Sequence, residues 1–579
     1  MLLSNLHRKS RIAALLTLSI PMVWASCTTE AQPAGDVRPQ SLADLGETPT
    51  PGVDIAANLG AQAVKRATAG GLPVESRGNW GMSPHATPEQ VRAALEMAKI
   101  PDVPGPVRET WQSVHDNYRI PDWIVNGKFG IFIHFGLYSI PAHGSEWYEK
   151  HMYGNPAIRN WHIQNFGPLD QFGYKDFIRR FTLANFDPNR WAEVFRDSGA
   201  TWVMPTAEHH DGYSLWDSKV NSFNSVRTSP RRDFIGELGK AVRGHGMKFG
   251  VTNHTIEHYD FIEPHNIPAG MKTDLNMPGY EDFYWVNHSD ERLTQFMAQW
   301  IAKNVELIDQ YQPDLIWYDN GLNHRVFDPL KLKVAAYYFN RARQWGRQVT
   351  FTGKGTCFIA GGVQDFEGMG RAARELTDFT WMVHTPIAGS WGYIEGTRAV
   401  DPRSMIDWLV EVVSKNGVLA LNVSPKGDGS IPEDQQECLH AIGRWLKVNG
   451  EAIYGTRAWV KSGEGALRLG RGQRYSAKEI RFTTKDGVLY AIMMAWPESG
   501  QALVNSLPIN APTGKPTAVS LLGSEAKLEF SQDAEGLNIQ LTQQDPGNGP
   551  YAFRIAGLRM PEKEVCDDAV VFKITGPKQ

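Results

Sequence analysis

The chain contains 579 residues, of which 42% are hydrophobic and 21% charged, and its formal net charge is −4. This length is sufficient for several domains with large cores, so the composition excludes a disordered chain and a small disulfide-held peptide. The slightly acidic balance, with no block of basic residues, argues against a nucleic-acid partner.

The first 27 residues have the pattern of an export signal. Arg8, Lys9 and Arg11 precede a mostly apolar run at residues 12–24, which is shorter than the roughly 20 residues that a membrane-spanning helix needs. We therefore expect export to the periplasm or the medium. The residues that end in Cys27 also resemble a bacterial lipoprotein signal, so lipidation of Cys27 or a retained anchor are open alternatives.

The cysteines do not form a recognisable framework. Besides Cys27 there are only Cys357, Cys438 and Cys566, which are far apart and contain no CxxC pair. This spacing excludes a zinc ribbon and permits at most a single bridge, whose pairing the sequence does not specify. Residues 28–105 are rich in Pro, Ala, Gly and Thr and are predicted to be an N-terminal extension with one short helix at 88–98.

From residue 106, apolar strand patterns alternate with amphipathic helix patterns. Strands are predicted at residues 130–134, 201–205, 248–253, 314–319, 348–351, 378–383 and 418–423. Repeated βα units indicate a parallel sheet covered by helices, and seven or eight such units favour a closed (β/α)8 barrel over residues 106–457. No glycine-rich nucleotide-binding loop is present, so a nucleotide site is not supported.

After about residue 454 the helical period ends and short strands with turn signals follow. The dipeptide Asp486-Gly487 lies between two apolar strand patterns and predicts a tight hairpin. We therefore expect an all-β sandwich domain over residues 458–579.

Polar residues lie at or just after several predicted strand ends, where the active sites of such barrels gather. They are His134, His209, His210, Asp319 and Trp391. Each residue alone is more often structural, but their joint pattern favours a single polar site. A glycosidase needs one ionised carboxylate at the anomeric carbon and one carboxylic acid at the leaving oxygen. Asp319, which ends an apolar strand beside Trp317, suits the first task.

Two patterns suggest a metal, and neither is favoured. His254-Thr-Ile-Glu257-His258 has the HxxEH order of one zinc-protease class, but it directly follows a strand, whereas that chemistry needs a helix face. His209 and His210 are adjacent, so their side chains diverge. We therefore predict no metal and no cofactor.

Several motifs occur together in one order and are individually distinctive. They are Lys128-Phe-Gly-Ile-Phe-Ile-His134, Glu146-Trp147-Tyr148, His209-His210-Asp211-Gly212-Tyr213, Trp317-Tyr318-Asp319, Ser390-Trp391-Gly392-Tyr393 and Leu421-Asn-Val-Ser-Pro-Lys-Gly-Asp-Gly429. From about residue 123 to 457, the chain resembles the α-L-fucosidases of glycoside hydrolase family 29.

The resemblance implies a retaining mechanism through a covalent glycosyl-enzyme, with Asp319 as the nucleophile. It also implies which side chains bind the sugar. Those that hold its hydroxyls are His134, Glu146, Trp147, His209 and His210, and those that form the apolar wall at the C6 methyl are Phe132 and Trp391, while Trp317 flanks the nucleophile. The segment from Asn422 to Gly429 is interpreted as structural.

The acid/base is the point at which the chain departs from the family pattern. Many members have a Trp-Glu dipeptide where this chain has Trp381-Met382. Glu367, after Asp365-Phe366, is the nearest match to the family's acid/base loop and is our prediction, with Glu375 as the alternative. Lys354 stands where relatives can carry an arginine, so we expect it to supply that positive charge.

The predicted function is an exported exo-glycosidase that removes terminal α-L-fucose from oligosaccharides or glycoconjugates. An α-L-galactosidase specificity is open because the two sugars differ only at C6. The missing Trp-Glu dipeptide motivates a second hypothesis, a fucose-binding protein on a degenerate enzyme scaffold. A third hypothesis is a zinc hydrolase that uses His254 and His258.

Overall fold

The structure is a computed structural model that describes residues 59, 61–63, 65, 86–368, 372–466, 474–542, 544–547 and 549–561. The predicted signal at residues 1–27, including Cys27, and most of the predicted N-terminal extension lie outside the described residues. Within the described residues, no helix is both long and apolar enough to cross a membrane.

Eight parallel strands close into a barrel in sequence order, and β1 pairs with β8 to complete the ring. The strands are β1 (Phe129–Ile133), β2 (Trp202–Glu208), β3 (Lys248–Asn253), β4 (Leu315–Tyr318), β5 (Thr350–Lys354), β6 (Gly362–Asp365), β7 (Trp381–Pro386) and β8 (Gly417–Val423). The predicted barrel is confirmed. Strand β6 has no counterpart among the seven predicted strands, because its four residues include only one large apolar side chain, Val363.

Helices surround the barrel and precede it. They are α1 (Pro88–Ala98), α2 (Trp111–Asn117), α3 (Asp122–Gly127), α4 (Tyr148–Gly154), α5 (Pro156–Phe166), α6 (Pro188–Asp197), α7 (Phe234–Gly244), α8 (Glu281–Tyr284), α9 (Asp290–Tyr311), α10 (Asp328–Gln344), α11 (Pro402–Val413) and α12 (Glu433–Asn449). The longest, α9, begins where the Ser289 side chain accepts from the backbone N–H of Arg292. Its buried face carries an apolar stripe at helical spacing, including Phe296 and Trp300.

The inside of the barrel is filled by side chains. Alternate residues of each strand point inward, and the inward set packs as one cluster. It includes Phe132, Trp202, Met204, Leu315, Trp317, Val363, Met382, Val418 and Ala420. Because the interior is filled, a ligand can bind only at the ends of the strands.

The C-terminal part of the chain forms two antiparallel sheets with a shared apolar core. Their strands are β9 (Arg457–Glu464), β10 (Ile480–Lys485), β11 (Val488–Met493), β12 (Gln501–Val504), β13 (Ala518–Leu521), β14 (Glu529–Gln532), β15 (Leu537–Gln540) and β16 (Tyr551–Ala556). One sheet has the order β13-β16-β11-β10-β9 and the other β12-β15-β14. Asp486 and Gly487 both have positive φ and join β10 to β11 in a two-residue hairpin turn, as predicted.

The two described cysteines, Cys357 and Cys438, are buried free thiols, so no bridge joins them. Cys27 and Cys566 lie outside the described residues. The limits proposed for the individual domains stay predictions.

A buried ion cluster joins the barrel to the β domain. Arg481 of β10 is fully buried and pairs with Glu411 of α11, which also pairs with Lys415. The same guanidinium donates to the carbonyl oxygens of Glu464 and Ile480. Removal of one member of such a buried set leaves a charge without its partner, which is costly.

We therefore expect Arg481→Ala to lower the free energy of unfolding by about 3–5 kcal/mol, measured by urea denaturation. Arg474→Ala is the matched control, because Arg474 also pairs with an acidic side chain but is 80% exposed. The control is expected to change stability by less than about 1 kcal/mol. Equal effects of the two substitutions would show that the buried cluster does not stabilise the junction.

Candidate active site

Five titratable side chains meet where the barrel strands end. Asp319 directly follows β4, Lys354 is the last residue of β5, and Glu367 lies two residues beyond β6. His210 lies two residues beyond β2, and His254 directly follows β3. Because parallel strands deliver their C-terminal ends to one face of a barrel, five separate segments converge at one place.

Asp319 is 6% exposed, and its carboxylate is held by donors on both oxygens. Oδ1 lies 2.5 Å from Nζ of Lys354 and accepts from the backbone N–H of Asn320 at 2.8 Å. Oδ2 lies 2.9 Å from Nδ1 of His254 and 3.5 Å from Nε2 of His210. Burial alone would raise the pKa of Asp319, but Lys354 and the two imidazoles hold that pKa well below its usual range. The carboxylate is therefore ionised and fixed in orientation.

Lys354 joins the two carboxylates that the sequence analysis selected. Its Nζ lies 2.5 Å from Oδ1 of Asp319 and 3.1 Å from Oε1 of Glu367. These two oxygens are therefore at most 5.6 Å apart, the sum of the two distances. Burial opposes the charge on Lys354, but the two carboxylates outweigh burial and raise the pKa of the ammonium above its usual value. Lys354 thus supplies a permanent positive charge between them.

Glu367 is held by a second carboxylate beneath it. Its backbone has φ +46°, in the left-handed region that non-glycine residues rarely adopt. The backbone N–H of Glu367 donates to Oδ1 of Asp365 at 2.8 Å. Asp365 also accepts from Nε1 of Trp317 at 2.6 Å and lies 2.8 Å from Nδ1 of His384. These contacts impose the unfavourable backbone conformation that brings Glu367 to Lys354.

The alternatives for the acid/base are placed differently. Glu375 has an exposed side chain, whereas the side chain of Glu367 is 17% exposed and contacts Lys354. Trp381 and Met382, at the place of the family's Trp-Glu dipeptide, lie in β7 and are fully buried. Of these carboxylates, the structure brings Glu367 to Asp319.

Three neutral imidazoles form another side of the pocket. The ring centroids of His134 and His209 are 5.6 Å apart, and those of His209 and His254 are 4.6 Å apart. Burial lowers the pKa of all three, that of His254 to about 4. A neutral imidazole offers one donor and one acceptor. Both ring nitrogens of His254 already have partners, Asp319 and Oγ1 of Thr252. His134 and His209 are therefore the members of this set that suit hydroxyl groups, which can both donate and accept.

Asn422 fixes the tautomer of His134. Nδ2 of Asn422 donates to the carbonyl oxygen of Trp391 at 2.8 Å, so its Oδ1 faces His134. That oxygen accepts from the backbone N–H of His134 at 3.1 Å and lies 2.7 Å from Nδ1 of the ring. Because Oδ1 can only accept, Nδ1 of His134 carries a proton and Nε2 is left as an acceptor. The side chain of Asn422 thus binds protein groups, consistent with a structural role.

We expect Asn422→Ala to lower the free energy of unfolding by about 1–3 kcal/mol, because buried donors and acceptors lose their partner. It should also raise KM, because the tautomer of His134 is no longer fixed. Urea denaturation and steady-state kinetics measure the two effects. Asn185→Ala is the control, since its amide pairs with Asp428 at an exposed position. An unchanged KM in the Asn422 variant would contradict the tautomer argument.

The segments after β1 and β7 contact each other beside the histidines. Burial raises the pKa of Glu146, whose carboxylate accepts from the backbone N–H of Gly392. A Cβ atom at Gly392 would lie 2.9 Å from the ring of Tyr138 and 3.1 Å from Cβ of Glu146, so only glycine permits this close approach. The indole of Trp147 meets His210 edge-on, with ring centroids 5.8 Å apart. Both predicted residues therefore line the same site.

The predicted aromatic residues lie in two layers. Phe132 and Trp317 are fully buried in the barrel interior, with ring centroids 5.1 Å apart. The ring of Phe132 lies below that of His134, with a centroid distance of 4.5 Å. Trp391 is partly exposed, with its ring 4.6 Å from His384 and 5.5 Å from His134. Of these three residues, Trp391 is accessible, while Phe132 and Trp317 lie beneath the floor of the pocket. The contact of Phe132 and Trp391 with the C6 methyl stays a prediction.

The HxxEH segment does not form a metal site. His254 turns to Asp319, whereas Nε2 of His258 lies 2.8 Å from the carbonyl oxygen of Phe283. Among the described residues, the groups whose ligand atoms lie close enough to hold an ion are His134, His209 and His254, and His210, His254 and Asp319. Neither group contains Glu257 or His258, so the zinc-protease geometry is absent from the described part of the chain.

No role in a sugar site was predicted for His254, Glu257 or Asp365. His254 directly follows a predicted strand, so the strand-end rule that selected His134 would also have selected it. Asp365 ends β6, which the sequence pattern does not reveal. Glu257 lies in a 3-10 segment, Thr255–Asp260, and nothing in its sequence context distinguishes it from a surface residue.

The chain is similar to known proteins along most of its length. The model of the α-L-fucosidase family matches residues 96–451, and that of the α-L-fucosidase C-terminal domain matches residues 474–556. The tissue α-L-fucosidase of Rattus norvegicus is 32% identical over 450 residues, which cover 76% of this chain and 89% of that protein. That of Homo sapiens is 31% identical over 482 residues, which cover 79% and 93% of the two chains.

A solved structure is also similar. The α-fucosidase of Thermotoga maritima, crystallised in complex with fucose, superposes with a TM-score of 0.63 at 28% identity, and the match covers 78% of this chain and all of that one. The family match spans more than half of the chain, and the relatives align over nearly their whole length. The chain therefore belongs to the α-L-fucosidase family of glycoside hydrolases.

Proposed function

We propose that the protein hydrolyses terminal α-L-fucosidic bonds with retention of configuration, through a covalent glycosyl-enzyme on Asp319. The observation that carries this proposal is the arrangement of Asp319, Lys354 and Glu367. Retaining glycosidases hold their two carboxyl groups about 5–5.5 Å apart, and inverting enzymes hold them about 6.5–9.5 Å apart. The limit of 5.6 Å between the oxygens of Asp319 and Glu367 supports the retaining class.

In the first step, an oxygen of Asp319 attacks the anomeric carbon while Glu367 donates its proton to the glycosidic oxygen. The bond between the anomeric carbon and that oxygen breaks, the aglycone leaves as an alcohol, and an ester forms on Asp319. In the second step, Glu367 removes a proton from water as the water oxygen attacks the anomeric carbon. The ester bond breaks, Asp319 is restored as a carboxylate, and fucose leaves as the α-anomer.

The surrounding side chains supply binding and charge. His134 and His209 are neutral and can accept from or donate to sugar hydroxyls, and Glu146 can accept from another. Lys354 stabilises the charge on Asp319 before attack and again when the ester breaks. Trp391 offers an apolar face to the C6 methyl. An apolar contact of this kind discriminates weakly against one added hydroxyl.

Hydrolysis of an aryl α-L-fucoside, compared with the matching aryl α-L-galactoside, tests this function. We expect turnover of the fucoside, and slower turnover of the galactoside by about tenfold or more because its hydroxymethyl meets the apolar face. Faster turnover of the galactoside would contradict the fucose assignment. Binding of fucose with no turnover of either substrate would identify a sugar-binding protein on an enzyme scaffold.

We further propose that the substrates are fucosylated oligosaccharides or glycoconjugates met outside the cytoplasm, and that the protein is exported. The basic and apolar pattern of residues 1–27 supports export, although this segment lies outside the described residues. Mass spectrometry of the mature N-terminus tests it. A lipid-modified N-terminal Cys27 would identify a membrane-tethered form. An unmodified terminus downstream of the apolar run would identify a secreted form. An uncleaved chain would contradict removal of the signal.

A further inference from the structure

A third buried carboxylate, Glu257, lies behind the candidate active site and has no part in the mechanism above. It belongs to the 3-10 segment Thr255–Asp260 after β3 and is 2% exposed. The segment packs against the turn that follows Asp319. A Cβ atom at Gly321, where φ is +92°, would lie 3.4 Å from Cγ of Glu257 and 2.9 Å from Ile256. Glu257 is therefore fixed against the loop that carries the nucleophile.

The carboxylate of Glu257 points toward His210. Its Oε2 lies 3.6 Å from Nε2 of His210, and the same nitrogen lies 3.5 Å from Oδ2 of Asp319. The other oxygen, Oε1, is buried and has no hydrogen-bond partner among the described residues. One imidazole nitrogen thus lies between two buried carboxylates.

The position of the protons on His210 follows from its other nitrogen. Nδ1 of His210 lies 3.1 Å from the carbonyl oxygen of His254, which can only accept, so Nδ1 carries a proton. If Nε2 carried none, its lone pair would face two carboxylates. A proton on Nε2 removes this conflict and makes His210 an imidazolium, which lies within ion-pair distance of both carboxylates.

The charges around this pair favour retention of that proton. Burial raises the pKa of Glu257 to about 7, with Asp319 and Glu367 acting in the same direction and His210 and Lys354 opposing. Burial lowers the pKa of His210, but Glu257 and Asp319 outweigh burial and raise it above its usual value. With a proton on both of its ring nitrogens, His210 and the carboxylate of Glu257 are neutral as a pair. Loss of the proton on Nε2 would add a negative charge beside the nucleophile.

We propose that Glu257 is a positioning residue for the reaction: its carboxylate stabilises the positive charge of His210 and so keeps Nε2–H of that imidazole directed at Asp319. The inference rests on the proposed function for its kinetic consequence, and its structural part stands independently. Without Glu257, His210 keeps only the proton on Nδ1, and Oδ2 of Asp319 loses one of its two imidazole donors. The nucleophile is then less firmly oriented and meets a lone pair in place of a donor.

The test is Glu257→Gln, which preserves shape and removes the carboxylate. We expect kcat/KM for an aryl α-L-fucoside to fall by about tenfold or more, as for other residues that orient a functional side chain. We also expect the alkaline limb of the pH profile to move to lower pH by about one unit, because the imidazolium loses its partner. Glu263→Gln is the matched control, since Glu263 lies on the same loop but pairs with Lys150 and is 37% exposed. The control should keep the native profile.

A readout that needs no turnover separates this proposal from the proposed function. Hydrogen–deuterium exchange at the imidazole C2 position, followed by mass spectrometry, gives the pKa of His210 in the whole protein. We expect a value above 6.5 in the native chain and a fall of about one unit or more in Glu257→Gln. If the native chain hydrolyses nothing but His210 behaves in this way, the proposed function fails while the ion pair of Glu257 and His210 stands.

Three results would overturn the proposal. They are a native pKa of His210 below 6.5, an unchanged pKa in Glu257→Gln, and a loss of rate that is equal at every pH. The last would indicate a purely structural effect. If Glu257→Gln does not fold, the native pKa and the variant Glu257→Asp decide, because the shorter carboxylate should keep the pKa of His210 above that of an isolated imidazole.

Discussion

Asp319→Asn is expected to lower kcat for aryl α-L-fucosides by about 10³-fold or more, because removal of a covalent nucleophile abolishes the two-step route. The amide has the shape of the carboxylate but is a poor nucleophile. Fucose should still bind, since the imidazoles and Glu146 are untouched. The measurement is steady-state kinetics together with calorimetric titration of L-fucose.

The matched control is Asp314→Asn, because Asp314 is also buried and precedes the same strand at the opposite end of the barrel. Its Oδ2 accepts from the backbone N–H of Phe249, so the substitution should affect stability and leave kcat nearly native.

Azide provides a positive test of the nucleophile. In Asp319→Gly, azide can enter the space of the lost carboxylate and attack from that face, which should form a β-fucosyl azide. A variant at Asp319 with near-native turnover would exclude the nucleophile assignment.

Glu367→Gln is expected to show the second-largest effect, and its size should depend on the leaving group. Proton transfer by a positioned acid contributes about 10²–10⁴-fold, and substrates with poor leaving groups need it most. We therefore expect a loss of this order with an alkyl α-L-fucoside or a fucosylated oligosaccharide. With a dinitrophenyl fucoside the bond-breaking step needs no acid, so ester hydrolysis becomes limiting and added azide should restore turnover.

Glu375→Gln is the control for this experiment, because it was the alternative acid/base and its side chain is exposed. It should retain native kinetics on every substrate. A uniform loss in Glu367→Gln, independent of the leaving group and without azide rescue, would assign Glu367 to structure. A leaving-group-dependent loss in Glu375→Gln would exchange the two roles.

The barrel could be predicted because apolar strands and amphipathic helices have distinct periods. Strand β3 has the predicted limits, and the stripe on α9 faces the core as expected. Strand β6 could not be found, because Gly362 and Gln364 interrupt the apolar pattern and pairing with β5 and β7 stabilises it instead. That information lies in neighbouring strands and not in the local sequence.

The site was predictable where it follows strand ends and unpredictable where it depends on packing. Asp319, His134 and His210 follow apolar strands, so their convergence was expected. The alternation of side chains along β1 does not show which side of the strand Phe132 faces. The closed barrel shows that its ring points into the filled interior. The link from Glu257 to His210 joins two loops, 47 residues apart in sequence numbering, and depends on how those loops fold against each other.

The most direct test of the account is the stereochemistry of the first product. Proton NMR of the purified protein with an aryl α-L-fucoside would follow the anomeric proton of released fucose before mutarotation. Two displacements at the anomeric carbon restore the original configuration, so α-fucose should appear first, and the β-anomer should grow in later by mutarotation. If β-fucose appears first, hydrolysis is a single displacement by water, and Asp319 is not a covalent nucleophile.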